Sequence, residues 1–152
     1  MSNEHDKAVA ELAVFANFVR IAALPIAVAT VEKRAPPEPD LLCTHSTDGK
    51  LAFELVEICD SNLARALSNP RPNAGGVQYL RTSDPSWDIV RKKLSRVYET
   101  DLPIELLCYT AGRVITPSDV ILPTITPLLR SFRHTFRRAW LFSKDQVFKV
   151  WD

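Results

Sequence analysis

Asp48-Gly49 is the strongest turn signal in the chain, and an apolar run stands on either side of it. An Asp-Gly pair supplies the left-handed backbone of a tight hairpin, so Leu41 to Thr44 and Leu51 to Cys59 are expected to pair as antiparallel strands. Alternation on the second strand then puts Ala52, Glu54, Val56 and Ile58 on one face and Leu51, Phe53, Leu55 and Glu57 on the other. Glu54 is thus predicted among small and apolar neighbours. A mid-strand carboxylate in that position is costly unless a cation or a hydrogen-bonding partner meets it. The same hairpin brings Asp40, at the outer end of the first strand, beside Glu54 or slightly further along, because paired strands lie roughly 5 Å apart.

The rest of the chain supplies elements to pack around this hairpin. Val9, Leu12, Ala13, Ala16 and Val19 recur at helical spacing between Asp6 and Arg20, with Asn3 placed to cap and Glu4 and Asp6 near the positive end of the dipole. Ile26 to Val31 leans towards a strand, and the prolines from Pro36 to Pro39 impose an extended path up to Asp40. Residues 61 to 68 suit a short helix, and Asn69 to Gly76 is the most loop-like segment, read as a mobile loop. Asp84-Pro85 opens a helix whose stripe Trp87, Val90, Leu94, Val97 and Tyr98 runs to Glu99. Pro103 to Tyr109 reads as a central strand. Thr116-Pro117-Ser118-Asp119 resembles another helix start, but Pro123 and Pro127 break the pattern and place the continuous helix from about Pro127 to Phe136. Ala139 to Phe142 and Gln146 to Trp151 then close the chain as a hairpin around Ser143-Lys144-Asp145. The expected architecture is an α/β sandwich with helices on both faces of a central mixed sheet.

Composition limits the functions open to such a fold. With 152 residues and 46% hydrophobic content the chain builds one core, so a single domain over residues 1–152 is expected. The net charge of +1 excludes a surface that binds anions everywhere. Charge is segregated instead: residues 1–60 hold ten acidic and five basic side chains, and residues 126–152 hold six basic and two acidic. Cys43, Cys59 and Cys108 are widely spaced and odd in number, which signals neither a disulfide framework nor a zinc knuckle and suits a reducing cytosol. His45 shares a predicted strand face with Cys43, with Cys59 within reach, but a fourth zinc ligand is missing. No apolar run reaches membrane-span length and no secretory leader is apparent, so a soluble cytoplasmic protein with no membrane partner is expected. Glycine-rich phosphate loops, Gly-x-Ser-x-Gly elbows and His-Glu-x-x-His helices are absent from the sequence.

Pro39-Asp40, the hairpin, and Phe53-Glu54-Leu55-Val56-Glu57 together resemble the PD-(D/E)XK nuclease-like superfamily, the restriction-endonuclease-like fold. Lys92-Lys93-Leu94 and Tyr98 on the following helix, the strand Pro103 to Tyr109 and the late Arg-Ala-Trp-Leu-Phe strand extend the likeness to small bacterial members with a Glu-Val-Thr-Glu type strand. The resemblance implies a nuclease acting on DNA, in preference to RNA, with Mg²⁺ or Mn²⁺ held by Asp40, Glu54 and the carbonyl of Leu55. Phosphodiester hydrolysis needs such a hard cation, and Mg²⁺ is content with one or two carboxylates plus water. The sequence departs from the family at Val56, where a lysine is usual. Some members of the superfamily supply that lysine from the next helix, and at 100° per residue Lys93 lies on the flank of the buried stripe while Lys92 points away. Lys93 is therefore the candidate third catalytic residue beside Asp40 and Glu54. A solvated helix face is the plain alternative for both lysines. Glu11 matches a position where such nucleases often add an acid, although a glutamate on a helix surface is ordinarily just solvated. Glu57 falls across the sheet from Glu54.

A second cluster holds Arg130, Arg133, His134, Arg137 and Arg138, the first four of which are expected on one side of the last helix, and it forms a candidate nucleic-acid-binding ridge, with an ordinary basic helix face as the alternative. Two other functions remain open. One is a catalytically inactive nuclease-fold protein serving as a nucleic-acid-binding or interaction module, which Val56 keeps in play. The other is an oligomeric accessory protein, a homodimer through the aromatic-rich end from Phe132 to Trp151.

Overall fold

A computed structural model describes residues 3–68 and 80–152. The elements run α1 (Asn3–Ile21), β1 (Glu32–Lys33), β2 (Leu41–His45), β3 (Gly49–Glu57), α2 (Ser61–Ser68), α3 (Ser86–Leu94), β4 (Ile104–Tyr109), α4 (Ser118–Ser131), β5 (Phe136–Ser143) and β6 (Gln146–Trp151). The six strands form one sheet in chain order. β1, β2 and β3 pair antiparallel, β3, β4 and β5 parallel, and β5 and β6 antiparallel. The protein is thus α/β with a mixed sheet. No helix among the described residues is long and apolar enough to cross a membrane.

The predicted hairpin forms, with Leu41 opposite Phe53 and His45 opposite Gly49, whose φ of 78° lies where glycine is at ease. Alternation along β3 sorts its side chains into two cores. Leu51, Phe53 and Leu55 pack with Phe15, Phe18 and Val19 of α1, and Phe53 meets the Phe15 ring edge-on at 4.8 Å. Ala52, Val56 and Ile58 face the other way, onto Val90 and Leu94 of α3 and Ile121, Ile125, Leu128 and Leu129 of α4. Helices cover both faces because every residue from Leu51 to Val56 is buried.

Three elements differ from the sequence reading. Ile26 to Val31 forms only a bridge from Ile26 to His45 and a turn of 3₁₀ helix at Val28–Thr30, and the strand proper begins at Glu32. α3 stops at Leu94, five residues short of Glu99: the Glu99 N–H bonds the Pro37 carbonyl at 3.0 Å and Tyr98 reaches back to Glu54, which pulls the chain off the helical path. Val97, beyond the end of the helix, is 86% exposed, and Trp87, in its first turn, is 47% exposed, although both belong to the expected stripe. The loop-like stretch Asn69 to Gly76 lies outside the described residues.

The largest correction is α4, which spans Ser118–Ser131 with Pro123 and Pro127 inside it, rather than Pro127 to Phe136. The prolines are four apart and both exposed, so the missing N–H donors fall on the solvent side, where water replaces them. The opposite stripe, Ile121, Ile125, Leu128 and Leu129, is buried, and this burial outweighs the helix-breaking preference. Pro123→Ala restores a donor for the Asp119 carbonyl. It is expected to raise stability by about 1–2 kcal/mol after allowance for the freer unfolded chain, read as a higher urea midpoint at unchanged m.

Candidate active site

Glu54 stands on the α3 side of β3 and is 3% exposed. Its Oε1 accepts the Asp40 N–H at 3.0 Å, and its Oε2 accepts Lys93 Nζ at 2.7 Å and the Tyr98 hydroxyl at 3.2 Å. Asp40 answers in kind: its Oδ2 accepts the Leu55 N–H at 2.9 Å. β2 begins only at Leu41, so the Asp40 carboxylate takes the place of the strand partner that Leu55 lacks on that side. In an extended residue the N–H and C=O point to the same edge, so the Leu55 carbonyl is directed there too. The resemblance to the PD-(D/E)XK nucleases singled out Asp40, Glu54, Leu55 and Lys93, and the fold brings these four together.

The electrostatics follow from burial. Desolvation pushes the Glu54 carboxyl above its ordinary range, and the Asp40 charge adds to the rise, while the Lys93 hydrogen bond and charge pull the other way. Burial, with Glu54 alongside, also pushes the Tyr98 phenol well up, so Tyr98 is held as a hydroxyl donor. Lys93 is on the flank of α3 with a side chain 16% exposed, whereas Lys92 is exposed.

Glu11 is not the solvated helix glutamate expected as its ordinary state. It is 3% exposed, and its Oε1 accepts Lys33 Nζ at 2.8 Å. The same ammonium lies 3.4 Å from Asp40 Oδ1. Burial alone would lower the Lys33 pKa, but hydrogen bonds and charge from Glu11 and Asp40 outweigh it and hold it above its usual value. Lys33 was invisible in the sequence because it lies in a charged, proline-rich stretch that gives no periodic signal, and its partners are 22 and 7 residues away. Glu57, on the opposite face from Glu54, pairs with Arg113, whose Nε donates to Oε2 at 2.8 Å. A cleft of about 510 Å³ opens at this end of β3, lined by Lys7, Glu11, Glu57, Lys93 and Arg113 among others.

The arginine ridge does not exist as a helix face. Arg130 is in the last turn of α4, Arg133 is exposed between α4 and β5, and Arg137 and Arg138 are adjacent residues of β5. The two strand arginines are engaged internally. Arg137 bonds Glu105 and Asp48, each at 2.8 Å, and Arg138 lies 3.5 Å from the same Glu105 oxygen. Glu105 is 2% exposed and also accepts the Trp140 indole N–H at 2.7 Å. This buried acid was missed, although the reasoning applied to Glu54 finds it equally in Ile104-Glu105-Leu106-Leu107. His134 meets the Leu129 carbonyl and the Phe136 N–H.

The cysteine and histidine set is dispersed. His45 Nδ1 accepts the Thr47 and Asp48 N–H groups and closes the hairpin turn. Cys43 is buried beside Leu41 and Leu51, its thiol pushed up to about 12 by desolvation, and Cys59 lies past the far end of β3. Among the described residues no three His, Cys, Asp or Glu side chains gather in the manner of a metal cluster. The donor set at Asp40 and Glu54 is two carboxylates and a backbone carbonyl, which fits Mg²⁺ or Mn²⁺ with water filling the remaining positions and does not fit zinc. Comparisons of the chain with protein-family models, with curated proteins and with solved structures return no significant match.

The Glu54–Lys93 pair is buried enough for its loss to be felt in stability. Lys93→Met leaves Glu54 without its ammonium and is expected to cost about 3 kcal/mol, while Lys92→Ala stays within about 0.5 kcal/mol of the wild type. Urea denaturation of the two variants side by side checks both values.

Proposed function

We propose that the chain is a metal-dependent phosphodiesterase of the PD-(D/E)XK nuclease-like kind, acting on DNA. The convergence of Asp40, Glu54 and Lys93 carries this reading. Two like-charged carboxylates meeting at the end of a hairpin, one of them buried, form an arrangement that a hard cation relieves. The mixed sheet with helices on both faces supports the same assignment, though a fold alone does not establish an activity.

Asp40, Glu54 and the Leu55 carbonyl would hold Mg²⁺ or Mn²⁺, which when bound polarises a phosphoryl oxygen and makes its water a stronger nucleophile. Lys93 supplies the positive charge that Val56 does not. Its ammonium is already 2.7 Å from Glu54, within reach of charge developing on a phosphate beside the carboxylates. Tyr98 fixes the Glu54 rotamer through its hydroxyl. The cleft next to the pair gives a phosphate backbone room, with Lys7 and Arg113 on its wall.

A second reading has its own support: a catalytically inactive relative that keeps the hairpin and serves as a binding or interaction module. All four oxygens of Asp40 and Glu54 already accept a protein donor, which is how a purely structural pair is held.

Incubation of the wild type with DNA and RNA substrates in Mg²⁺ or Mn²⁺ separates the two. Under the nuclease reading DNA is cut, Asp40→Ala abolishes both metal binding and cleavage, and Lys93→Gln lowers turnover by about 10²–10³ while substrate affinity changes little. A wild type that cuts nothing with either metal, yet binds Mn²⁺ through Asp40, selects the inactive relative.

A further inference from the structure

Lys33 is a charged group at the site that neither strand pairing nor the sequence pattern accounts for. It leaves the two-residue edge strand β1, opposite Leu41, and its ammonium bridges carboxylates from two other elements, Glu11 on α1 and Asp40 at the head of β2. The two contacts are unequal. The Glu11 contact is 2.8 Å long and its side chain is 4% exposed, whereas the Asp40 contact is 3.4 Å long and its side chain is 17% exposed. The ammonium is therefore anchored in the protein at Glu11 and meets Asp40 on the more open side.

We propose that Lys33 is a built-in counter-cation of the Asp40–Glu54 site, which a divalent ion has to displace from Asp40 in order to bind. The inference rests on the metal reading above and assigns Lys33 and Glu11 roles within it. An ammonium on Asp40 Oδ1 occupies one of the directions from which a metal would approach, and its charge opposes a second cation at that distance. Displacement severs the longer contact alone, since Lys33 keeps its hydrogen bond to Glu11. Glu11 is then the anchor of the lysine and not a ligand of a second ion. The device also discriminates by charge. A monovalent ion brings no more charge than the ammonium it replaces and loses the N–H···O bond, whereas a divalent ion adds a net positive charge against two carboxylates.

Calorimetric titration of Mn²⁺ into the full chain tests this without any assay of activity. Lys33→Gln removes the charge but keeps an N–H donor for Glu11, and it is expected to tighten Mn²⁺ binding by about tenfold. Lys33→Arg keeps the charge and gives no tightening. The double variant Glu11→Gln with Lys33→Met removes the buried acid together with its partner, so it tests the idea even where the single variant fails to fold. It too is expected to bind more tightly than the wild type. Folded variants that bind Mn²⁺ as weakly as the wild type, or more weakly, overturn the role of Lys33, and a weakened double variant in particular makes Glu11 a ligand. In either case Asp40→Ala still abolishes binding and the metal reading stands. If the wild type and every Lys33 variant bind no Mn²⁺, the metal reading falls and this inference with it.

Discussion

A carboxylate buried on the face of a β-sheet has to be met by donors, and Glu54 imposes that requirement on one whole end of the molecule. Three donors answer it: the Asp40 N–H, the Lys93 ammonium and the Tyr98 hydroxyl. They come from the residue that leads into β2, from α3, and from the segment after α3. The end of α3 at Leu94 is in keeping with the same requirement, since Tyr98 reaches back to Glu54 from the segment that leaves the helix. Asp40 completes the arrangement by capping the Leu55 N–H, so each end of the carboxylate pair holds the other's backbone in place.

The sheet contains a second buried acid, and the contrast shows why only one of the two is a candidate for chemistry. Glu105 pairs in register with Phe53 and so lies on the α1 side, with Arg137, Arg138 and the Trp140 indole around it. Guanidinium groups and an indole are fixed donors that saturate a carboxylate and ask for nothing further. Glu54 instead has one flexible ammonium, one phenol and a second carboxylate close by, beside a cleft. The first set ties strands together. The second leaves repulsion between carboxylates that a cation lowers.

Much of the fold was legible because it rests on local rules. The Asp48-Gly49 signal located the hairpin, and period-two alternation then sorted the residues of β3 between the two cores as the structure has them. Helical spacing put Lys93 on the flank of α3 and Lys92 outside. The rules failed where long-range packing decided the outcome. Pro123 and Pro127 read as helix breakers, yet the apolar stripe beneath them keeps α4 helical while their missing donors face water. Arg130, Arg133 and Arg137 read as one basic helix face, but the helix ends at Ser131 and β5 begins at Phe136, so Arg137, with Arg138 beside it, turns inward onto Glu105.

The sequence by itself determined that Asp40 and Glu54 would lie near each other, because the turn signal between two apolar runs pairs the strands in or beside which they stand. It also determined that a buried carboxylate would need a cation or a hydrogen-bonding partner. Which group met that need was decided only in three dimensions. Lys93 lies 39 residues from Glu54, and Lys33 lies 22 from Glu11, so neither pairing is encoded in any local spacing. Both depend on how α1 and α3 pack on opposite faces of the sheet. Hydrophobic burial fixes those helix positions without direction, and the ion pairs form between whichever charged side chains that packing brings together.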